Sequence, residues 1–118
     1  MDEKPIITKL SWHELVSIDI GWELEGAKAG NANVSFLIIE APPSQGPKLH
    51  AHPYEEIFII LEGQATFTVG QEIIRADERQ VIIVPAGVPH KFVNSGHEVL
   101  RQIDIHASPE FITDWLED

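Results

Sequence analysis

The sequence predicts an all-β fold of the sandwich or barrel type. Short segments rich in β-branched and aromatic residues recur along its 118 residues, and Gly, Pro, Asn and Asp separate them. The length suits a single hydrophobic core, and no internal repeat or long linker divides the chain. We therefore predict one domain over residues 1–118, with the barrel core at about residues 18–106.

Nine strands follow from the positions of these segments. A turn at residues 29–31 separates the first two, and a Pro-rich loop at residues 42–47 ends the second. Glycines at positions 63, 70 and 87 mark later turns, as do polar residues at 76–78 and 94–96. The predicted strands are Ile18–Glu25, Ala32–Ala41, Lys48–His52, Glu56–Glu62, Gln64–Val69, Glu72–Arg75, Gln80–Val84, His90–Asn94 and Glu98–His106.

Short helical segments are predicted at both ends of the chain. Ser11 and Glu14 have the spacing of a capping box, which favours a brief helical turn. Near the C-terminus Ser108 can cap a helix, and Pro109 suits its first position. The apolar side of this predicted helix, at about residues 108–117, consists of Phe111, Ile112, Trp115 and Leu116. We expect the helix to dock onto the barrel.

Composition and charge argue against several classes of partner. Eight Lys and Arg against nineteen Asp and Glu give a net charge of −11, which repels nucleic acid phosphates and anionic lipids. The chain has no cysteine, so disulfides and thiolate metal ligands are impossible. The first residues lack the features of a signal peptide, and no apolar run approaches the roughly 20 residues that span a bilayer. We expect a cytoplasmic protein with no nucleic-acid partner and no membrane partner.

Four residues have the spacing of a metal site. His50 and His52 are two residues apart on a predicted strand, so they face the same side with Cα atoms roughly 6.6 Å apart. Glu56 opens an apolar strand, where a carboxylate directed at the core needs a partner. His90 opens a later strand, just after the turn at Pro85–Gly87. These side chains can therefore meet around one divalent metal ion.

Two motifs that contain these residues resemble those of the cupin superfamily. The first is Gly46-x3-His50-x-His52-x3-Glu56-x6-Gly63, and the second is Pro85-x-Gly87-x2-His90-x3-Asn94. Arg79 stands where the second motif is expected to begin with a glycine. The resemblance covers about residues 18–106 and implies a double-stranded β-helix, or jelly-roll barrel, that binds a divalent metal near one mouth. It implies little about the substrate.

The ligand types limit the metal and its chemistry. Histidine and carboxylate suit Fe, Mn, Ni, Co or Zn, and a six-coordinate ion would leave positions open for water, substrate or dioxygen. A structural zinc site usually includes cysteine, which this chain lacks. We favour a metal-dependent enzyme, dioxygenase-like, that acts on a small oxygen-bearing molecule. The alternatives are an isomerase, decarboxylase or lyase, a non-catalytic metal-binding or ligand-sensing module, and a polar core cluster without metal.

Other polar and aromatic residues give weaker signals. Lys48 shares the strand parity of the two histidines and can hold an anionic substrate, although a solvated lysine is the simpler interpretation. Tyr54 lies in a loop and is an equally open candidate for the rim of the site. Structural roles are the preferred interpretation of His13, His97 and His106. Core or interface positions are preferred for Trp12, Trp22 and Trp115.

A homodimer is predicted from strands that are apolar on both faces. In the strand that Glu56 opens, the side opposite the metal site consists of Ile57, Ile59 and Leu61. Segments 36–39 and 81–84 repeat this pattern, whereas a solvated outer face would alternate with polar residues. Two-fold dimers are the commonest closed oligomers, so we expect a second copy to cover this surface.

Overall fold

The computed structural model describes residues 4–118, which form eleven strands. One 3₁₀ helix, Trp12–Glu14, precedes them, and a second, Gly26–Lys28, follows the second strand. No helix in this described part of the chain has the length and apolar character needed to cross a membrane. The strands are β1 (Val16–Ile18), β2 (Gly21–Leu24), β3 (Ser35–Ala41), β4 (His50–Ala51), β5 (Glu56–Glu62), β6 (Gln64–Val69), β7 (Glu72–Asp77), β8 (Val81–Val84), β9 (His90–Asn94), β10 (Leu100–His106) and β11 (Asp114–Trp115).

The strands form two antiparallel sheets, and the predicted all-β jelly roll is confirmed. The larger sheet has the order β1-β2-β3-β10-β5-β8, and the smaller has the order β11-β4-β9-β6-β7. Strands far apart in the chain are neighbours, as where β10 lies between β3 and β5. Such long crossovers between two packed sheets are typical of a jelly-roll barrel.

Interlocking aromatic rings fill the core between the sheets. Phe58 of the larger sheet meets Phe67 of the smaller sheet edge to face, with ring centroids 4.8 Å apart. Phe92 lies 5.6 Å from Phe67, and all three rings are buried. Glu56 precedes Phe58 by two residues on the same face of β5, so its carboxylate lies at the edge of this apolar core.

The N-terminal end of the barrel differs from the prediction of one strand at Ile18–Glu25. β1 and β2 instead form a hairpin in which Ile18 pairs with Gly21. Asp19 and Ile20 form the two-residue turn, and aspartate favours turns because its side chain can hydrogen-bond nearby backbone groups. The brief helical turn before β1 is confirmed, and the Ser11 amide donates to Glu14 Oε1 at 3.3 Å.

The predicted C-terminal helix at residues 108–117 is wrong. This segment runs extended along the smaller sheet, where Asp114 pairs with Ala51 and the Leu116 amide donates to the Leu49 carbonyl at 2.9 Å. The Phe111 amide donates to a carboxylate oxygen of Glu25 at 3.0 Å. These tertiary bonds satisfy the backbone groups that a helix would have paired internally. The segment whose apolar spacing suggested a helix instead contains β11, the edge strand of the smaller sheet.

Arg79 has a left-handed backbone conformation, with φ of +66°. Its amide donates to the Ile60 carbonyl at 2.9 Å in the turn between β7 and β8. Glycine adopts this conformation without a steric penalty, whereas other residues lose roughly 1 kcal/mol. This backbone geometry explains why a glycine is expected at the position.

The outer face of the larger sheet is apolar across five strands. Val81 and Ile83 on this face are 55% and 61% exposed. Part of the face forms a cleft of about 710 Å³ that Ile6 and Trp12 help to line. Register pairs align the outward side chains in two rows, one of Trp22, Ile38, Ile103, Ile59 and Val81, and one of Leu24, Phe36, Ile105, Ile57 and Ile83.

Candidate metal centre

The structure brings together the four residues that the sequence predicts as metal ligands. His50 lies in β4 and pairs directly with His90 at the start of β9. His52 follows β4, and Glu56 opens β5. All four side chains are buried, and each offers one ligand atom within 4.8 Å of the other three. This spacing is close to the roughly 4.2 Å that separates opposite ligands of one first-row metal ion.

Backbone carbonyls fix the orientation of all three imidazole rings. His50 Nδ1 lies 2.7 Å from the Lys48 carbonyl, and His90 Nδ1 lies 2.9 Å from the Val88 carbonyl. His52 Nδ1 lies 2.9 Å from the Ile112 carbonyl. Since a carbonyl only accepts hydrogen bonds, each Nδ1 carries a proton, and each ring in its neutral form presents an Nε2 lone pair.

The atoms that face inward fit a cation better than they fit each other. Glu56 Oε1 lies 3.0 Å from His52 Nε2 and 3.1 Å from His90 Nε2. The first contact lacks hydrogen-bond geometry, so the buried His52 Nε2 has no hydrogen-bond partner among the described residues. A lone pair that faces a carboxylate at this distance requires a proton or a cation between them. Three neutral imidazoles and one carboxylate are therefore a donor set suited to one divalent metal.

The electrostatics favour the metal-binding forms of His50 and Glu56, whereas the contact with Glu56 favours a protonated His90. Burial lowers the pKa of His50 from 6.5 to about 4, so this ring is neutral at pH 7. Burial alone would raise the pKa of Glu56, but hydrogen bonds from His106 and His90 and the close His52 ring hold it well below its usual range. Burial likewise opposes protonation of His90, yet its hydrogen bond to Glu56 raises its pKa overall.

His106 contacts the centre, which the sequence analysis did not anticipate. Its Nε2 lies 3.1 Å from Glu56 Oε2, the carboxylate oxygen that the other two close imidazoles leave free. Its Nδ1 lies 2.6 Å from the hydroxyl of Tyr54. The ring of Tyr54 stacks on His52 with centroids 5.0 Å apart. His106 and Tyr54 thus support Glu56 and His52 from outside the set of four.

The C-terminal segment also contacts the centre. Ile112 provides the carbonyl that orients His52, and its own amide donates to the Tyr54 hydroxyl at 3.3 Å. Trp115 in β11 packs against the His50 ring with centroids 5.0 Å apart. No residue spacing in the sequence points to these contacts, because they depend on where the segment crosses the barrel.

A cavity of about 490 Å³ opens beside the four residues, and His50, His52 and Glu56 form part of its wall. The rest of the wall is mainly apolar and includes Ile18, Leu37, Ile39, Phe58, Phe92 and Phe111. A small molecule in this cavity would contact the candidate metal centre while most of its surface is shielded from water.

Neither of the two weaker candidates from the sequence, Lys48 and Tyr54, lines the cavity. Lys48 is exposed and does not line it, so a direct contact of this lysine with a bound anion is not supported. Tyr54 is half-buried and contacts His52 and His106. His13 and His97 are exposed and lie outside the cluster.

Comparison with known proteins identifies the family. Residues 37–106 match the sequence profile of the cupin domain. The chain belongs to the cupin family. An uncharacterized protein of Streptomyces coelicolor is 31% identical to this cupin over 90 residues, which cover 76% of this chain and 83% of the relative.

Solved structures share the fold of this cupin. An uncharacterized Klebsiella pneumoniae protein with a double-stranded β-helix domain has a TM-score of 0.74 at 21% identity, covering 98% of this chain and 100% of its own. Oxalate decarboxylase from Lactobacillus farciminis, solved with formate, has a TM-score of 0.78 at 23% identity. That match covers 88% of the cupin and 34% of the decarboxylase, so the cupin spans about a third of that chain. At these identities the likeness establishes the fold alone.

Proposed function

We propose that this cupin binds one divalent transition metal through His50, His52, Glu56 and His90 and acts as a metal-dependent enzyme on a small oxygen-bearing molecule. The observation that carries the proposal is the convergence of Nε2 atoms on one carboxylate oxygen while every Nδ1 is held by a backbone carbonyl. Fe, Mn, Ni, Co and Zn all suit this donor set.

The chemistry divides between the metal and the residues around it. A bound metal would supply a Lewis acid and, for a redox metal, a site for dioxygen. The three carbonyl contacts hold the imidazoles in one tautomer, and His106 holds the second oxygen of Glu56. The apolar wall of the cavity excludes water from a bound substrate.

A dioxygenase-like reaction is the activity we favour, and it predicts consumption of oxygen. We expect the metal-loaded cupin to take up oxygen with at least one member of a panel of small enols, phenols and hydroxy acids, measured with an oxygen electrode. The His90→Ala protein is the control and should show no uptake.

The structural likeness to oxalate decarboxylase supports decarboxylation as the second candidate, and release of carbon dioxide under anaerobic conditions would favour it. Tight binding without turnover would indicate a non-catalytic module.

Metal occupancy is expected to fall on acidification, since protons compete with the metal for Nε2. Because the pKa of His90 is raised, protons begin to compete with the metal for this ring at a pH above the ordinary histidine pKa of 6.5. The His50 pKa is depressed to about 4, so its contribution to stability is complete above 6.5 and is lost as the pH falls towards 4. Dialysis at steps from about pH 7 to pH 4.5, followed by metal analysis, measures the loss. Full occupancy at the acid end would count against three histidine ligands.

A homodimer through the outer face of the larger sheet is also proposed. The two apolar rows span five strands, and exposed Val81 and Ile83 extend them to the edge of the sheet. Light scattering at micromolar concentration should give about twice the 13.2 kDa of one chain. Ile83→Glu would place a charge in this face and should shift the mass towards the monomer, whereas Ile73→Glu, at an even more exposed position on β7 of the other sheet, should not. A wild-type mass near 13.2 kDa would contradict the dimer.

A further inference from the structure

Three acidic residues line the cavity beyond the candidate metal ligands: Asp104 and Glu23 lie on strands of its wall, and Asp19 is an exposed residue of the turn between β1 and β2. Asp104 in β10 and Glu23 in β2 each pair with Leu37 of the intervening strand β3. All three line the cavity together with Phe58, which pairs with Asp104 from the other side. The row therefore places two carboxyl groups on the cavity wall next to the row that contains Glu56 and His106.

Asp104 has unused hydrogen-bonding capacity that faces this cavity. The residue is only 2% exposed, and its one hydrogen bond to the described residues is accepted by Oδ1 from Gln102 Nε2 at 2.8 Å. Oδ2 accepts no hydrogen bond from residues 4–118. Gln102 is fully buried, and its own Oε1 has no hydrogen-bond partner among the same residues. A carboxyl oxygen left free by the protein on a cavity wall is a position where a ligand group can bind.

Among the residues that the structure describes, no lysine or arginine side chain lines the cavity to balance these acids. Lys28 is close enough to influence Glu23, but it pairs with Glu25 at 3.0 Å and its side chain is 81% exposed. Burial, reinforced by the charge of Glu56, raises the pKa of Asp104 well above its usual value. Burial and the charge of Glu25 also raise the pKa of Glu23. Both shifts show that further negative charge is unfavourable in this part of the cavity.

We propose that Asp104 and Glu23 form a second ligand-binding subsite, which selects small, largely apolar molecules bearing an uncharged or basic hydrogen-bonding group and disfavours organic anions. This inference rests on the proposed function only in placing the substrate in the same cavity as the metal. A basic group can take up the proton of Asp104 and pair with the resulting carboxylate and with Glu23, and an uncharged amide or hydroxyl group would hydrogen-bond to Asp104. Away from the metal, an organic anion would add negative charge beside two acidic groups in a low-dielectric site.

Three probes of nearly equal shape test the charge preference. Benzamidine is cationic, benzamide is uncharged and benzoate is anionic, and each offers an apolar ring for the phenylalanine-lined wall. Isothermal titration of the chelator-treated protein, in which benzoate has no metal to bind, should show benzamidine and benzamide binding at least ~10-fold more tightly than benzoate, equivalent to about 1.4 kcal/mol. Benzoate binding as tightly as benzamidine would overturn the proposal.

Isosteric variants assign the preference to the two residues. Asp104→Asn and Glu23→Gln should each reduce the ratio of benzamidine to benzoate affinity by about tenfold, the size expected for one lost charge-assisted contact. Glu72→Gln, an exposed substitution outside the cavity, is the matched control and should leave the ratio unchanged. Glu23 is only half-buried, so its variant keeps the test valid if Asp104→Asn fails to fold. Ratios unaffected by both substitutions would contradict the subsite.

Metal analysis of the same preparation before chelation separates this inference from the proposed function. If the purified protein binds no metal, the metal proposal fails while the probe titrations still report the charge preference of the cavity. If metal is bound but benzoate is preferred, the subsite is refuted and the metal centre stands.

Discussion

The His52→Ala and His90→Ala proteins are expected to purify with little or no bound metal. Each substitution removes one of three imidazoles whose Nδ1 atoms are held by backbone carbonyls, and the remaining ligands cannot enclose the ion. Metal that binds only the folded state adds about 2.7 kcal/mol of stability at a free concentration 100 times the Kd. We therefore expect the melting temperature of each metal-supplemented variant to fall by roughly 10 °C relative to wild type.

Elemental analysis and thermal melts with and without a chelator measure these effects. His97→Ala is the matched control, because His97 is exposed and lies outside the cluster. It should retain the wild-type metal content and melting temperature. Equal metal content in wild type and both ligand variants would refute the assignment of the ligands.

The second large effect is expected at Gly46, in the loop that leads into β4. A Cβ atom at this position would lie 1.9 Å from the Phe92 carbonyl oxygen, far inside any permitted contact. The same loop is bonded to β9 next to that contact, since the Asn94 amide donates to the Gln45 carbonyl and the Asn94 carbonyl accepts from the Ser44 amide, each at 2.9 Å. The loop and β9 therefore cannot separate easily, and Gly46→Ala should destabilise the protein by about 3 kcal/mol.

Chemical denaturation of wild type and Gly46→Ala checks this value. Gly87→Ala is the control, because a Cβ at Gly87 meets nothing within 4 Å although its φ is +80°. That substitution should cost about 1 kcal/mol through backbone strain alone. A Gly46→Ala protein as stable as the Gly87→Ala protein would show that the loop can relax. Reduced metal content in Gly46→Ala would show that the loop also positions His50.

The four candidate ligands were predictable because strand parity and motif spacing determine which side chains share a face. His50 and His52 are two residues apart, and Glu56 and His90 each open a strand that passes the same end of the barrel. Residue type and spacing are local properties of the chain, and the pairing of β4 with β9 brings the distant histidine into place. The fold class was predictable for the same reason.

The support around the ligands was not predictable from local patterns. His106 reaches Glu56 only because β10 lies beside β5, a pairing between strands separated by four others in the chain. The sequence held one signal for this role, the alternation of polar residues with isoleucines on β10. The polar residues are Gln102, Asp104 and His106, and polar side chains that face inward need partners inside the barrel. A lone histidine at a strand end does not by itself reveal this role.

The C-terminal segment shows why a short apolar pattern misleads. Phe111, Ile112, Trp115 and Leu116 have helical spacing, but ten residues hold too few turns for that spacing to exclude other structures. Backbone pairing with β4 and the side chain of Glu25 decides the conformation instead. As a result the segment supplies the carbonyl that orients His52, a function that a helix at this position would not provide.

Metal analysis of the wild-type cupin, purified without added chelator or metal, tests the central claim most directly. The convergence of His50, His52, Glu56 and His90 predicts close to one equivalent of a first-row transition metal per chain, removed by a chelator with a fall in melting temperature. A protein that contains no such metal, and whose melting temperature does not rise when Fe, Mn, Ni, Co or Zn is added, would contradict the account.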